Sequence, residues 1–139
     1  VGKRLPDYME FTVAADGSPQ GLDASNANGH TATTNKARTA VGKIANAISA
    51  LNICDLVGNV WKWLNELLHD PTAASAAWYD VFGGGYGQAY MYSSTGLHAL
   101  VGGGSWHDGV HCGSRAVSCS YYPWSVHTRI GVWCVCDSL

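Results

Sequence analysis

The chain has 139 residues, of which 47% are hydrophobic and only 13% charged, with a formal net charge of -2. That balance excludes a disordered chain and a nucleic-acid binder working by bulk charge, and no apolar run approaches the ~20 residues a bilayer-spanning helix needs. The length points to one domain over 1-139, large enough to bury a core without a disulfide or metal.

Val1-Gly2-Lys3-Arg4-Leu5-Pro6 does not read as a signal peptide. Leu5 to Ala15 reads as the first helix. Pro6 suits the first helical turn, Asp7 and Glu10 favour the positive N-terminal end, and Leu5, Met9 and Val13 share one face. Asp16-Gly17-Ser18-Pro19 stops it. Residues 17–36, rich in Gly, Ser, Asn and Thr, read as irregular loop, and 36–50 as a second, short helix. Val60 to Leu64 alternates apolar residues with Trp61 and Trp63, which predicts a strand, and His69 to Ala77 is loop. Short β-type runs follow at Ala99–Val101, Ser114–Cys119 and Ile130–Val135. The order, helices early and short irregular strands late, is α+β.

Composition changes along the chain. Residues 1–80 hold fourteen of the eighteen charges, whereas 81–139 hold Asp108, Arg115, Arg129 and Asp137 together with eleven of the seventeen glycines. Glycine, serine, histidine, tyrosine and tryptophan interleaved at low charge read as a contact surface, since paratopes use the same residue types. The five cysteines form no CxxC. Buried free thiols acting as small hydrophobes and a disulfide from Cys112 to a strand cysteine both remain open. Cys134 and Cys136 flank Val135, so on a strand they share a face.

Catalytic and metal signals are weak. His107 and His111 have the i, i+4 spacing of a zinc pair, but Gly109 and Gly113 argue against a helix there, and exposed loop histidines are the plainer reading. Ser105 stands in Gly-Gly-Gly-Ser-Trp, which fails the nucleophile-elbow spacing. Asp55, before Gly58-Asn59, reads as a turn residue. No GxxxxGK[ST] phosphate loop is present. The residues therefore call for no catalytic constellation, no cofactor and no metal.

Three stretches carry a family resemblance. They are Arg4-Leu5-Pro6-Asp7-Tyr8-Met9-Glu10-Phe11 with Ala14-Ala15, then Cys54-Asp55-Leu56-Val57-Gly58-Asn59-Val60-Trp61-Lys62-Trp63, then Gly103-Gly104-Ser105-Trp106 leading to Cys112-Gly113-Ser114-Arg115-Ala116. Together they resemble the C-type-lectin-like fold shared by formylglycine-generating enzymes and the variable proteins of diversity-generating retroelements. The middle stretch is similar to a D-x-x-G-N-V-W-E-W motif, with Lys62 in place of the acid. The resemblance spans nearly the whole chain and implies further strands upstream of Leu5.

Two branches of that resemblance diverge in chemistry. The oxidase branch implies paired cysteines after the Gly-Gly-Ser-aromatic motif, and here His107-Asp108-Gly109-Val110-His111-Cys112 offers one. The retroelement branch implies a diversified region, about 105-133, in which template asparagine codons are randomised at adenines. Such codons, altered at the first two bases, yield His, Asp, Val, Ser, Tyr, Cys and Arg but not Lys, Glu, Gln, Met or Trp. Between His107 and Arg129 the interspersed residues are of those types, and the unreachable types are absent except Trp124, which reads as fixed framework. The resemblance thus implies a non-catalytic ligand- or receptor-binding protein at a virion or cell surface. Its partner is a protein or cell-surface receptor, not nucleic acid, and its ligand-binding face comprises His107, Asp108, Val110, His111, Ser118, Ser120, Tyr121, Ser125, His127 and Arg129, exposed and on one side. Tyr121 and Arg129 are the expected anchors, because hot spots favour those residue types. A fixed-ligand lectin-like module is the alternative.

Overall fold

The computed structural model describes residues 2–21, 37–73, 75–83 and 85–136. Its order is β1 (Lys3–Arg4), α1 (Tyr8–Ala15), β2 (Trp61–His69), β3 (Ala77–Tyr79), β4 (Ala89–Met91), β5 (Leu97–Gly102), β6 (Val117–Tyr121), β7 (Ile130–Gly131) and β8 (Val135–Cys136), with a 3-10 turn at Gly109–His111. Six strands form one mixed sheet in the order β3-β4-β6-β5-β2-β7, and β1 pairs with β8 in a separate ribbon. The architecture is α+β with one α-helix among the described residues. The second helix expected over 36–50 is absent from 37–50, which instead hold turns and a single bridge from Ile48 to Cys54. The small, alternating residues there lack a continuous apolar stripe long enough to nucleate a helix.

The helix begins at Tyr8 rather than at the expected Leu5, because Asp7 serves as its N-cap and leaves Leu5 and Pro6 outside it, and its buried face also differs from the expected one. Asp7 caps it: its carboxylate accepts the Glu10 N–H while Glu10 accepts the Asp7 N–H, a reciprocal capping box. Arg4 holds both Glu10 oxygens at 2.6 Å, and this contact draws the Glu10 carboxyl down to about 2. Phe11, Ala14 and Ala15 are the buried residues, whereas Met9 and Val13 are exposed. The Phe11 ring lies against Gly102 and Gly103, so the aromatic rather than the Met9–Val13 row faces the sheet.

A register shift in β2 between Trp63 and Leu67 receives this helix. Within the shift, the Asn65 N–H donates to Pro6 O at 2.9 Å and the Tyr8 N–H donates to a Glu66 carboxylate oxygen at 2.5 Å. A bulge of this kind re-aims side chains that a regular ladder would point elsewhere. One core cluster joins Phe11, Ala14, Ala15, Leu56, Val57, Leu64 and Cys112; another joins Trp61, Val101 and Ala116 with Trp63, Trp78, Tyr121 and Ile130 packed around them. All five cysteines are free thiols, with Cys112 and Cys119 buried and Cys134 and Cys136 exposed.

The Asp55–Trp61 stretch fastens the late part of the chain to the early part. Asp55 and Asn59 both adopt left-handed backbone, which Asp and Asn tolerate better than most residues. The Asp55 carboxylate accepts the Gly42 N–H at 2.6 Å, and the Asn59 amide exchanges two hydrogen bonds with the Thr39 backbone. Asn59 O accepts from the Trp106 N–H, the Gly58 N–H donates to Gly103 O, and the Trp61 N–H donates to Arg129 O at 2.7 Å. Gly103 has φ of 90°, and a β-carbon there would sit 2.2 Å from Leu56 O, so only glycine fits.

Candidate functional site

The segment from Trp106 to Arg129 leaves the core at one hydrogen bond to Asn59 and returns at another to Trp61. Between those two fastenings it builds a cleft of about 420 Å³ lined by Trp61, Trp78, Tyr90, Tyr92, Asp108, Ser118, Ser120, Tyr122 and Arg129. A shallower depression of about 200 Å³, lined by Trp106, His107, His127, Thr128 and Arg129, shares the arginine.

The floor of the cleft comes from one face of β3, β4 and β6, where strand alternation brings Trp78, Tyr90, Ser118 and Ser120 out on one side. Register pairs Trp78 with Tyr90, and Tyr90 with Ser118. Trp78 is packed between two rings: Trp61 at 6.3 Å and nearly parallel, and His111 at 4.3 Å and parallel. Burial lowers the His111 pKa from its ordinary value, with Asp108 pulling the other way, and Nδ1 of His111 bonds the Gln88 side chain. His111 therefore backs Trp78 as a stacked ring behind the cleft lining. Residues Gly109–His111 make a single 3-10 turn, so the i, i+4 spacing brings no helical face with it.

Charge in the cleft is confined to one pair. The Asp108 carboxylate accepts from the Ser105 N–H at 2.8 Å and the Ser105 hydroxyl at 2.5 Å, which fixes it at the end of the Gly-Gly-Ser motif. Its other oxygen lies 3.9 Å from Arg129, a charge contact too long to be a hydrogen bond. The Arg129 guanidinium forms no hydrogen bond with the described residues, so its donors stay available at the surface. The Arg129 N–H donates to Nδ1 of His127, which leaves Nε2 as the protonated nitrogen of the neutral ring.

Of the ten residues expected on the binding face, Asp108, Ser118, Ser120 and Arg129 meet in the cleft, and His107 and His127 join Arg129 in the neighbouring depression. Val110 is exposed on the 3-10 turn, and Ser125 accepts the Tyr122 N–H in a turn. Tyr121 is half-buried, edge-on to Trp63, and desolvation raises its pKa. The expectation of exposure is met by His107, Val110 and His127 alone. Asp108, His111, Ser120, Tyr121, Ser125 and Arg129 are half-buried, and Ser118 is 2% exposed, paired with the Ser120 hydroxyl at 2.8 Å on the cleft floor. Trp124, expected as fixed framework, is 70% exposed. Sequence reasoning missed Trp78, Tyr90, Tyr92 and Tyr122 as lining residues. Their period-2 spacing within short strands was the available signal, but only strand pairing tells which face they share.

The thiols do not fit the paired-cysteine copper site of the oxidase branch. Cys112 sits in the Phe11 cluster with its sulfur donating to Ser105 O at 3.3 Å, and burial raises its pKa well above the ordinary value. Cys119 lies instead against the Tyr90 and Tyr92 carbonyls.

Helix, mixed sheet and loop-built cleft together define a C-type-lectin-like domain, and the chain belongs to the family of the sulfatase-modifying factor enzyme 1-like domain, whose model matches residues 1–138. Among solved structures it is similar to the Major Tropism Determinant M1 variant, 27% identical with a TM-score of 0.68, and to the P3c variant, 28% identical with a TM-score of 0.63. Each likeness covers 98% of this chain and 34% of that one. The U1 variant, 24% identical with a TM-score of 0.63, shares the fold over 94% of this chain and 32% of its own. The chain therefore spans about a third of the length of these structures. They support the relationship to retroelement variable proteins that the sequence motifs point to. No curated protein matches the chain.

Proposed function

We propose that this domain is a receptor-binding module, non-catalytic, whose diversified segment of about 105-133 presents the ligand face at a virion or cell surface. The observation that carries the reading is the division of labour in the 106–129 segment. Its two ends are fixed by backbone hydrogen bonds to Asn59 and Trp61, while Asp108, Ser120, His127 and Arg129 project between them into two adjoining depressions. Apart from Asp108, whose carboxylate holds the Ser105 N–H, side chains held this way can change without altering the backbone bonds that order the segment, which a replaceable recognition surface requires. The tropism determinants carry in their name the selection of a host, and the same fold here supplies the same kind of scaffold.

The ten face residues then divide by what each tolerates. His107, Val110 and His127 are exposed and accept almost any side chain. Ser118 is confined to small residues by its burial, because a larger or charged group there would meet a close-packed floor. The test is a combined replacement of His107, Val110, Ser120, His127 and Arg129 by alanine. Thermal unfolding should shift by only a few degrees while adsorption of the labelled protein to susceptible host cells is lost. Adsorption that survives all five changes would place the ligand face elsewhere.

A further inference from the structure

One residue on this face contradicts the rest of it. Trp124 is 70% exposed, and Val126, two positions on, is 99% exposed. A tryptophan so placed is usually loosely held, but this one is braced from below. Its ring stacks on Tyr122 at 5.2 Å and 4°, and the Tyr122 ring in turn lies 4.6 Å from that of His98, which is fully buried. The backbone is braced as well. Tyr122 to Ser125 is a four-residue turn with Pro123 at its second position, closed by the Ser125 N–H to Tyr122 O at 2.9 Å and by the Tyr122 N–H to the Ser125 hydroxyl at 3.0 Å. Proline presets the turn dihedral, and both hydrogen bonds resist its opening. The result is a rigid aromatic post at the rim of the cleft, since Tyr122 also lines that cleft.

We infer that Trp124 is an invariant anchor of the receptor contact, inserting into an apolar depression on a protein partner. The inference rests on the receptor-binding reading, because it assigns to that site a fixed centre beside its replaceable side chains. Tryptophan lies outside the set that diversified asparagine codons reach, which fits a post kept while its neighbours change. Preorganisation is what makes it useful: a side chain already held in its bound geometry loses little entropy on contact. Tryptophan is also the residue type most enriched where truncation weakens protein–protein binding most.

The surroundings favour a protein over other partners. Residues 116–128 contain no Asp, Glu, Lys or Arg, so nothing at the tip draws it to an anionic membrane. A sugar stacked on an indole needs hydroxyl partners beside the ring. Here the residues flanking Trp124 in the chain are Pro123 and Ser125, and the Ser125 hydroxyl already accepts the Tyr122 N–H of the turn.

The experiment selects a random displayed peptide library on the full chain and measures the affinity of selected peptides for wild type, Trp124→Ala, Trp124→Phe, Tyr122→Ala and Arg129→Ala. The expected result is a class of apolar-rich peptides that lose at least about tenfold with Trp124→Ala. Trp124→Phe should recover part of that loss, and Tyr122→Ala should weaken binding by loosening the post. Equal binding of all peptides to wild type and Trp124→Ala overturns the inference. If in that case Arg129→Ala still abolishes binding, the receptor face stands and only the anchor falls; if neither change matters, both fall. Two further readouts oppose it: a dimer in solution that Trp124→Ala dissociates, which assigns the post to self-association, and indole resonance shifts of Trp124 with millimolar glucose, galactose or N-acetylglucosamine, which assign it to a glycan.

Discussion

Replacing Lys62 by methionine should stabilise the domain, and by an amount that depends on pH. Lys62 is 5% exposed, beneath the stretch that ties the cleft segment to the core, and burial drives its ammonium from an ordinary value of 10.5 to about 7. Each pH unit of displacement is worth about 1.4 kcal/mol, so keeping the charged form buried costs about 5 kcal/mol. Against this stand the attraction of the nearby Asp55 carboxylate, which favours the charged form, and one hydrogen bond, Nζ to Gly58 O at 2.7 Å, whose loss leaves a carbonyl to be satisfied at about 1–3 kcal/mol. Methionine fills similar volume without charge, so Lys62→Met should gain about 2–4 kcal/mol at pH 6. The pH dependence follows from a folded-state value below the unfolded one. Between about 7 and 10.5 the unfolded chain binds the extra proton, and wild-type stability therefore rises with pH across that window. Below about 7 both states are protonated and the full cost is present. From pH 7 to 8.5 the advantage of the variant should shrink by about 2 kcal/mol. The buried Cys112 thiol, raised by burial, contributes an opposite slope above about 8.5, but does so in both proteins. Urea unfolding followed by tryptophan fluorescence at pH 6, 7 and 8.5 measures the difference directly. A variant less stable at every pH, or a difference that does not change with pH, refutes the reasoning.

Three other expectations address the scaffold and its chemistry. Trp61→Ala should cost about 3–5 kcal/mol in a denaturant melt, because the ring is 2% exposed and supports Trp78 beneath the cleft; a loss under about 1 kcal/mol would show that it is not packed. Gly103→Ala should destabilise more than its one methyl group suggests, since the new carbon meets Leu56 O at 2.2 Å in left-handed backbone; a melt within about 0.5 kcal/mol of wild type would contradict the geometry. No oxidation of cysteine-containing peptides is expected in the presence of copper, and turnover that Cys112→Ser abolishes would reverse the non-catalytic reading.

The sequence carried most of the scaffold because its signals there are local. Asp7 and Glu10 mark a helix start by themselves, and Asp55, Asn59 and the glycines announce left-handed turns wherever they lie. Long-range choices were harder to read. The Met9–Val13 row and the Phe11–Ala15 row are both apolar, and only the docking surface of Gly102 and Gly103 selects the second. Likewise β2 runs on to His69, past the expected end at Leu64, because its partner β5 extends that far after a register shift that no periodicity records. The expected strand Ile130–Val135 divides into β7 and β8, which pair with different partners, β2 and β1. At the site, the residue types of 107–129 foretold a surface, whereas the tyrosines and tryptophan from β3 and β4 entered it only through strand pairing.

The ribbon formed by β1 and β8 has a consequence for how the domain can be carried. Lys3 pairs with Cys136 and Arg4 with Val135, so the two places where chain enters and leaves the described fold are neighbours across one antiparallel ladder, about 5 Å apart. Whatever chain is joined at Lys3 and at Cys136 therefore departs from one edge of the fold, and a pull on one strand is felt at once by the other. Load applied through both ends would peel this two-rung ribbon first, one rung at a time. The six-stranded sheet and its cleft would be spared until the ribbon had parted.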